Sequence, residues 1–398
     1  MMQAVMTPEH RGDSGIHYIS MPSIMKVIGP LFLKDLKEAF EKAKGDQKKL
    51  NELLHRLETI KIFDPACGSG NFLVIAYKEL RRLEMEIYKE RHYTMPHSLI
   101  SLRQFYGIEL DDFTHEIAQL SLWLAEHQMN MKFFKQFNCT DPTLPLKEAG
   151  NIVQGNACII DWKKVCPKTE GDEIYILGNP PYLGSSMQDE NQKSDLESVF
   201  TGFKNYKNLD YIACWFKKGA DFISKSNSKL CFVSTNSICQ GEQVDLLWPY
   251  IFKQNLEIGF AYKSFKWANN AKGRASVIVV ILGIRNCSNT IKYIFIDNLR
   301  QQVSNINPYL TVGSNITLPR RGKPISTIPE MLYGNMPTDG GYLILDKKEV
   351  DELQYFTNWI EKSFRNDKNI ISSISVTDIV FDDYLGKSNY RAIPKVKT

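Results

Sequence analysis

The sequence has few of the devices on which many catalytic and binding classes depend. Its eight cysteines, Cys67, Cys139, Cys158, Cys166, Cys214, Cys231, Cys239 and Cys287, form no CxxC pair and no zinc-ligand spacing. That argues against zinc modules and dithiol redox chemistry, and no metal ligand set is expected. Scattered thiols of this kind fit a reducing compartment rather than a disulfide-stapled secreted fold. Long apolar runs are absent: the strongest, Ala275 to Ile284, is too short to cross a bilayer. The opening MMQAVMTPEHRGD has no apolar core of signal-peptide length. The expectation is a soluble, cytoplasmic chain with no membrane partner. Neither sign of charge dominates, since 49 Lys and Arg against 45 Asp and Glu leave a net +4. Such a balance permits a nucleic-acid partner without demanding one. There is no Gly-x4-Gly-Lys-Ser/Thr phosphate loop, which disfavours nucleotide hydrolysis.

What is present is ordinary globular composition, 43% hydrophobic and 24% charged over 398 residues, enough for two domains. From Pro22 to about Leu57 the pattern is helical, and its Lys/Glu-rich middle reads as a solvated helix pair. KIFDPACGSGNFL (61–73) reads as a strand, a glycine turn and a helix start. RQFYGIEL (103–110) is a second strand. Asp111 and Asp112 can cap the helix after it, with Ile117, Leu120 and Leu124 as its apolar stripe. EIYIL (173–177), KLCFVST (229–235) and SVIVVIL (276–282) are further strands rich in β-branched residues. Strands alternating with helices predict a mostly parallel, doubly wound α/β sheet. After about residue 300 the chain becomes turn-rich, and a domain boundary is expected there.

Two stretches carry chemistry. In Asp64-Pro-Ala-Cys-Gly-Ser-Gly70, Gly68 and Gly70 let the backbone turn sharply beside a helix N-terminus. The third glycine of the dinucleotide fingerprint is missing, since Leu73 stands in its place, so a pyrophosphate ligand is disfavoured. Glu109, ending the second strand, could grip ribose hydroxyls; it lies 39 positions after Gly70, against roughly 20 in the dinucleotide pattern. Alone the glycine turn is as readily a plain turn. Together with Glu109 it favours a nucleoside cofactor. The second stretch, ILGNPPYLG (176–184), places two rigid prolines after a buried strand, projecting one amide and one aromatic ring. By itself Asn-Pro-Pro-Tyr reads as a simple turn before a polyproline ligand, since a WW-type ligand would need a residue between the prolines and the tyrosine.

In combination, DPACGSGNFL, YGIEL and GNPPY resemble the γ-type class I S-adenosylmethionine-dependent DNA adenine-N6 methyltransferases. GIHYIS with PLFL, LSLWLAEHQMN and SFKWANNAKGRASVIVVILG are similar to the methyltransferase portion of the type IIL, MmeI-like, restriction–modification enzymes, from about Gly15 onward. The resemblance implies a seven-stranded Rossmann-like sheet, a first cofactor motif within an N-terminal helical segment (1–60), a catalytic domain (61–300) and a partial target-recognition domain (301–398). It implies S-adenosylmethionine as cofactor, contacted by Tyr18, Ser20, Asp64, Ala66, Gly68, Gly70, Asn71, Glu109, Leu110 and Asn179. Asn156 would face the cofactor adenine, with Asp161 as rival. Asn179, Pro180, Pro181 and Tyr182 would form the catalytic corner on double-stranded DNA. Tyr182 and one later aromatic, Phe265 or else Trp267, would stack on the flipped base. Arg320, Arg321 and Lys323 suit phosphate contacts.

The chemistry suits those residue types. The lone pair of adenine N6 is delocalised into the ring, and two acceptors, the Asn179 amide oxygen and the Pro180 carbonyl, would localise it as positive charge develops. Cytosine-C5 methylation needs a Pro-Cys nucleophile, and no cysteine here follows a proline. Cys67 reads as packing. The alternatives are an RNA or protein N-methyltransferase, and a DNA-binding remnant lacking activity or specificity. Only 14 residues precede the first motif, so no nuclease and no DNA cleavage are expected from this sequence, and a separate nuclease or specificity polypeptide is a natural partner.

Overall fold

The computed structural model describes residues 20–93, 95–139, 150–267, 277–297, 299–319 and 351. The chain divides into two compact units, Met1–Arg320 and Arg321–Thr398, and every element below belongs to the first. The strands are β1 (Lys61–Asp64), β2 (Phe105–Glu109), β3 (Asn151–Gln154), β4 (Ile174–Gly178), β5 (Lys229–Thr235), β6 (Leu256–Trp267), β7 (Val277–Asn286), β8 (Lys292–Ile296) and β9 (Leu299–Val303). They form one sheet in the order β3-β2-β1-β4-β5-β7-β6-β8-β9. Strands β1 to β5 pair in parallel, and β7 runs antiparallel between β5 and β6. The expected seven-stranded, doubly wound sheet is therefore present. It is extended at one edge by β8, parallel to β6, and β9, antiparallel to β8.

All five residues of β4 are buried, as its unbroken apolar run requires of a central parallel strand covered on both faces. The covering helices are α1 (Met21–Ile28), α2 (Lys34–Ala43), α3 (Gln47–Thr59), α4 (Asn71–Glu90) and α5 (Asp112–Phe137) on one face. On the other lie α6 (Trp162–Val165), α7 (Glu190–Val199), α8 (Ala213–Ile223) and α9 (Gly241–Lys253). Among the described residues no helix is long and apolar enough to cross a membrane.

Two readings of the sequence need correction. The N-terminal helices are not a solvated pair. Helix α2 turns Leu36, Phe40 and Ala43 inward, and α3 does so with Leu50, Leu53, Leu54 and Leu57. Their many charges occupy only the outward side of a 3.6-residue period. In the π-helical turn Gly29–Leu33 that joins α1 to α2, Phe32 is fully buried, its ring 4.9 Å from that of Tyr175 on β4. Nor does α5 bury the stripe of Ile117, Leu120 and Leu124, for the two leucines are each 38% exposed. It buries Thr114, Ala118, Leu122, Ala125, Met129 and Phe133. The two alanines on that face let the helix approach closely: a Cβ on Gly70 would lie 3.3 Å from the Ala118 carbonyl oxygen.

Phe32 tests the docking of the N-terminal helices. Phe32→Ala should destabilise the protein by about 3–5 kcal/mol in urea unfolding, through lost transfer energy and a cavity. A cost below about 1 kcal/mol, typical of a surface substitution, would mean that this segment does not pack on the sheet.

Candidate active site

Chemistry-bearing residues collect at the C-terminal edge of the parallel strands, because the register brings the strand ends level. Asp64 pairs with Gly107, two residues before Glu109, and Phe63 pairs with Ile176, two before Gly178. Gly178 in turn lies opposite Phe232 of β5. Four strand ends therefore open onto one rim, where ligands bind in open parallel sheets.

The glycine turn is built as the sequence requires. Gly68 and Gly70 have φ of +53° and +79°, a region that strains any residue with a Cβ. Gly70 is the N-cap of α4, and its amide donates to the Cys67 carbonyl at 2.9 Å. Trp215 Nε1 donates to the Pro65 carbonyl (3.1 Å) and steadies the turn from the opposite layer. Asn71 Nδ2 donates to Ser69 Oγ (3.1 Å), and Ala66 is half-buried. The residues 41 positions apart that the sequence links only by motif order are in direct contact: Gly68 N–H donates to Glu109 Oε2 at 2.9 Å. Glu109 Oε1 accepts from Asp111 N at 3.0 Å, and Leu110 beside it is 67% exposed. Cys67 is packing, as expected. It is buried against Gly107, where a Cβ would lie 3.0 Å from its sulfur, and burial pushes its thiol far above the usual range.

Asp64 is the least solvated acid of the site. Its Oδ1 accepts from Ala66 N (3.1 Å), whereas its buried Oδ2 has no partner among the described residues. Burial, with the Glu109 charge adding to it, raises its pKa to about 8. Burial raises Glu109 as well. Gly178, with φ of +153°, makes room for this carboxylate: a Cβ there would sit 2.4 Å from Asp64 Oδ1. The next residue is Asn179, whose Oδ1 is likewise buried and unpartnered. Two orphaned oxygens therefore stand at adjoining strand ends. They suit a ligand that brings donors and positive charge. Pro180 is buried, Pro181 exposed and Tyr182 half-buried, packed against the α6–α9 layer.

The other expected residues have partners of their own or lie outside the described residues. Asn156 has no free side chain, since Oδ1 accepts from Cys158 N (2.8 Å) and Nδ2 donates to both Asp195 oxygens (2.9 and 3.0 Å). Its rival Asp161 is exposed and caps α6 through Lys163 N. Ser20 is the N-cap residue of α1, its hydroxyl 2.9 Å from that of Ser23. Phe265 lies on the opposite layer from Tyr182. It meets Tyr262 edge-on at 6.3 Å, and Lys26 Nζ stands 4.2 Å from its ring centroid. Tyr18, the side chain of Trp267, and Arg320, Arg321 and Lys323 lie outside the described residues. Asp195 and Asp210 escaped the sequence reading, and Gly178, although part of GNPPY, was given no role there. The two aspartates follow the Asn-Pro-Pro-Tyr stretch without motif spacing of their own, and only their contacts reveal them.

The chain is similar to known proteins. The profile of the MmeI DNA-methyltransferase domain matches residues 40–296, and that of the MmeI target recognition domain matches residues 312–372. DNA methyltransferase A of Bacillus subtilis (strain 168) is 53% identical over 358 residues, covering 88% of this chain and 41% of that protein. The structure of the type IIL restriction–modification enzyme MmeI, solved in complex with DNA, is similar with a TM-score of 0.81 and 41% identity, over 89% of this chain and 49% of that one. The chain thus spans half or less of the length of these two relatives.

The raised Asp64 pKa has a consequence for stability. Between its ordinary 3.8 and about 8, the folded state holds a proton that the unfolded state releases, so this group costs stability as pH rises through that window. Asp64→Asn cannot ionise, and its melting temperature relative to the parent should climb from pH about 5 to about 8. A difference that stays constant over that range would show that Asp64 is ionised throughout.

Proposed function

The chain belongs to the MmeI DNA-methyltransferase domain family, and from that premise we propose that it methylates the exocyclic N6 of adenine in duplex DNA, using S-adenosylmethionine, as the modifying part of a restriction–modification system. The observation that carries this reading is the buried, unpartnered Asn179 Oδ1 at the end of β4, one residue beyond the glycine that abuts Asp64. An amide acceptor held dry and unsatisfied is matched to an amine donor.

The residues divide the work. Gly68 and Gly70 allow close backbone approach, Glu109 receives ribose hydroxyls, and Asp64 offers its free oxygen to the positive charge of the cofactor. When bound, the sulfonium cofactor supplies an electrophilic methyl group with its own neutral leaving group. The target adenine must leave the duplex stack, at a cost of a few kcal/mol. Tyr182 stacks on the swung-out base and returns roughly 1–3 kcal/mol of that. Asn179 Oδ1 and the Pro180 carbonyl accept the two N6 hydrogens. Those bonds strengthen as N6 becomes positive, which stabilises the transition state more than the ground state. The two prolines hold the acceptors still, because their φ is locked. After transfer the excess N6 proton passes to solvent.

The decisive experiment is transfer of labelled methyl from the cofactor, with duplex DNA, RNA and protein offered in parallel; label in DNA at N6 of adenine is expected, and label only in RNA or protein would reject the substrate. Asn179→Ala should lower the transfer rate by at least about 100-fold while cofactor affinity stays near that of the parent. Glu109→Ala should instead weaken cofactor binding, by about 1.5–3 kcal/mol for each charge-assisted hydrogen bond lost. Calorimetry giving an unchanged affinity for a folded Glu109→Ala variant would remove Glu109 from the cofactor site.

A further inference from the structure

We propose that Asp210 is a positioning residue for this reaction, clamping the Asn179–Tyr182 corner to the tip of β5; the proposal rests on the methyl-transfer reading above. Asp210 is 4% exposed, and among the described residues no cation pairs with it. A buried carboxylate without a counter-charge persists only where hydrogen bonds replace its hydration. Three do so. Oδ1 accepts from the backbone N–H of Leu183 (2.9 Å) and of Ile212 (3.2 Å), and Oδ2 accepts from Ser237 Oγ (3.3 Å).

The choice of partners gives the carboxylate its meaning. Leu183 directly follows Tyr182, so the bond to its amide fixes the far end of the corner whose near end, Asn179, directly follows Gly178, the last residue of β4. The carbonyl of Leu183 is held too, by Tyr211 N (3.0 Å) and Gln188 Nε2 (2.9 Å). With two prolines inside and both groups of Leu183 tied outside, little torsional freedom remains between Asn179 and Tyr182. Ser237 sits just past β5, its hydroxyl 2.7 Å from that of Thr235, the last residue of the strand. Asp210 therefore joins the ends of two neighbouring parallel strands. Gln243 on α9 braces the clamp from behind: its Oε1 accepts from Asp210 N (2.9 Å), and its Nε2 donates to the Asn208 carbonyl (2.7 Å). The charge of Asp210 also reaches Tyr182, whose phenol is held above its ordinary pKa first by burial and then by this carboxylate.

This clamp lies at the rim and ties loops, so it governs where the acceptors stand more than whether the sheet forms. The test uses the parent chain with Asp210→Ala, Asp210→Asn and Ser237→Ala. It measures label transfer at saturating cofactor into unmethylated genomic DNA, cofactor affinity by calorimetry, and melting temperature. Asp210→Ala should slow transfer by about 100-fold, the scale of a misplaced reacting group, with cofactor affinity unchanged. Asp210→Asn keeps an Oδ1 for the Leu183 and Ile212 amides and can donate to Ser237, so it should recover at least about tenfold of that loss. Ser237→Ala should slow transfer several-fold at an unchanged melting temperature, roughly the effect of one long hydrogen bond; this variant and Asp210→Asn decide the matter if Asp210→Ala does not fold. The proposal is overturned if Asp210→Ala transfers at the parental rate, if Asp210→Asn is as slow as Asp210→Ala, or if rate, affinity and melting temperature fall together. A parent chain that binds cofactor yet labels no DNA would overturn the methyl-transfer reading itself, and the proposal with it.

Discussion

Because β1 pairs in parallel with β2 on one side and with β4 on the other, Asp64, Glu109 and Asn179 finish at the same rim of the sheet. Each belongs to a different part of the sequence, and none could find the others by local structure. Parallel strands need long crossovers, and here those crossovers are the helices α4, α8 and their neighbours, which also shield both faces. The Gly68 to Glu109 hydrogen bond of 2.9 Å is the direct product of that register. A one-residue slip would turn Asp64 to the opposite face of β1 and dismantle the site.

The polar groups of this rim fall into two kinds. Asp195 and Asp210 are buried and fully engaged, and they hold loops in place. Glu84, in the body of α4, is of the same kind, tying the segment 98–100 through Ser98 Oγ and the amides of Leu99 and Ile100. Asp64 Oδ2 and Asn179 Oδ1 are buried and have no partner among the described residues. Leaving such atoms bare costs free energy, of the order of 1–3 kcal/mol each. The fold bears that cost at two adjoining strand ends while it satisfies its other carboxylates nearby, and the proposed function takes its ligand contacts from those atoms.

The two layers make unequal contributions to the site. The α6–α9 layer holds Tyr182, steadies the glycine turn through Trp215 and supplies Asp195 and Asp210. The α1–α5 layer supplies the helix that starts at Gly70 and the packing beneath it. Phe265 belongs to this second layer and already carries Lys26 against its ring, so it differs from Tyr182 both in surroundings and in the availability of its face.

Some of this was legible in the residues alone. Short apolar runs marked β1 and β2, β-branched runs marked β4, β5 and β7, glycines marked the turn where φ must be positive, and the order of three motifs marked the expected chemistry, because each is a local requirement that one short stretch must satisfy by itself. The short outer strands β3, β8 and β9 were not legible. They are four or five residues long, β3 and β9 are largely exposed, and only pairing partners make them strands. Nor was the inner face of α5, where alanines chosen for close approach outrank the larger Leu120 and Leu124. The commitment of Asn156 to Asp195, the clamp at Asp210, and the bare oxygens of Asp64 and Asn179 all came from tertiary structure. They depend on which groups the parallel register and the two layers bring within 3 Å or so of one another, and composition, periodicity and spacing along the chain carry no record of that distance.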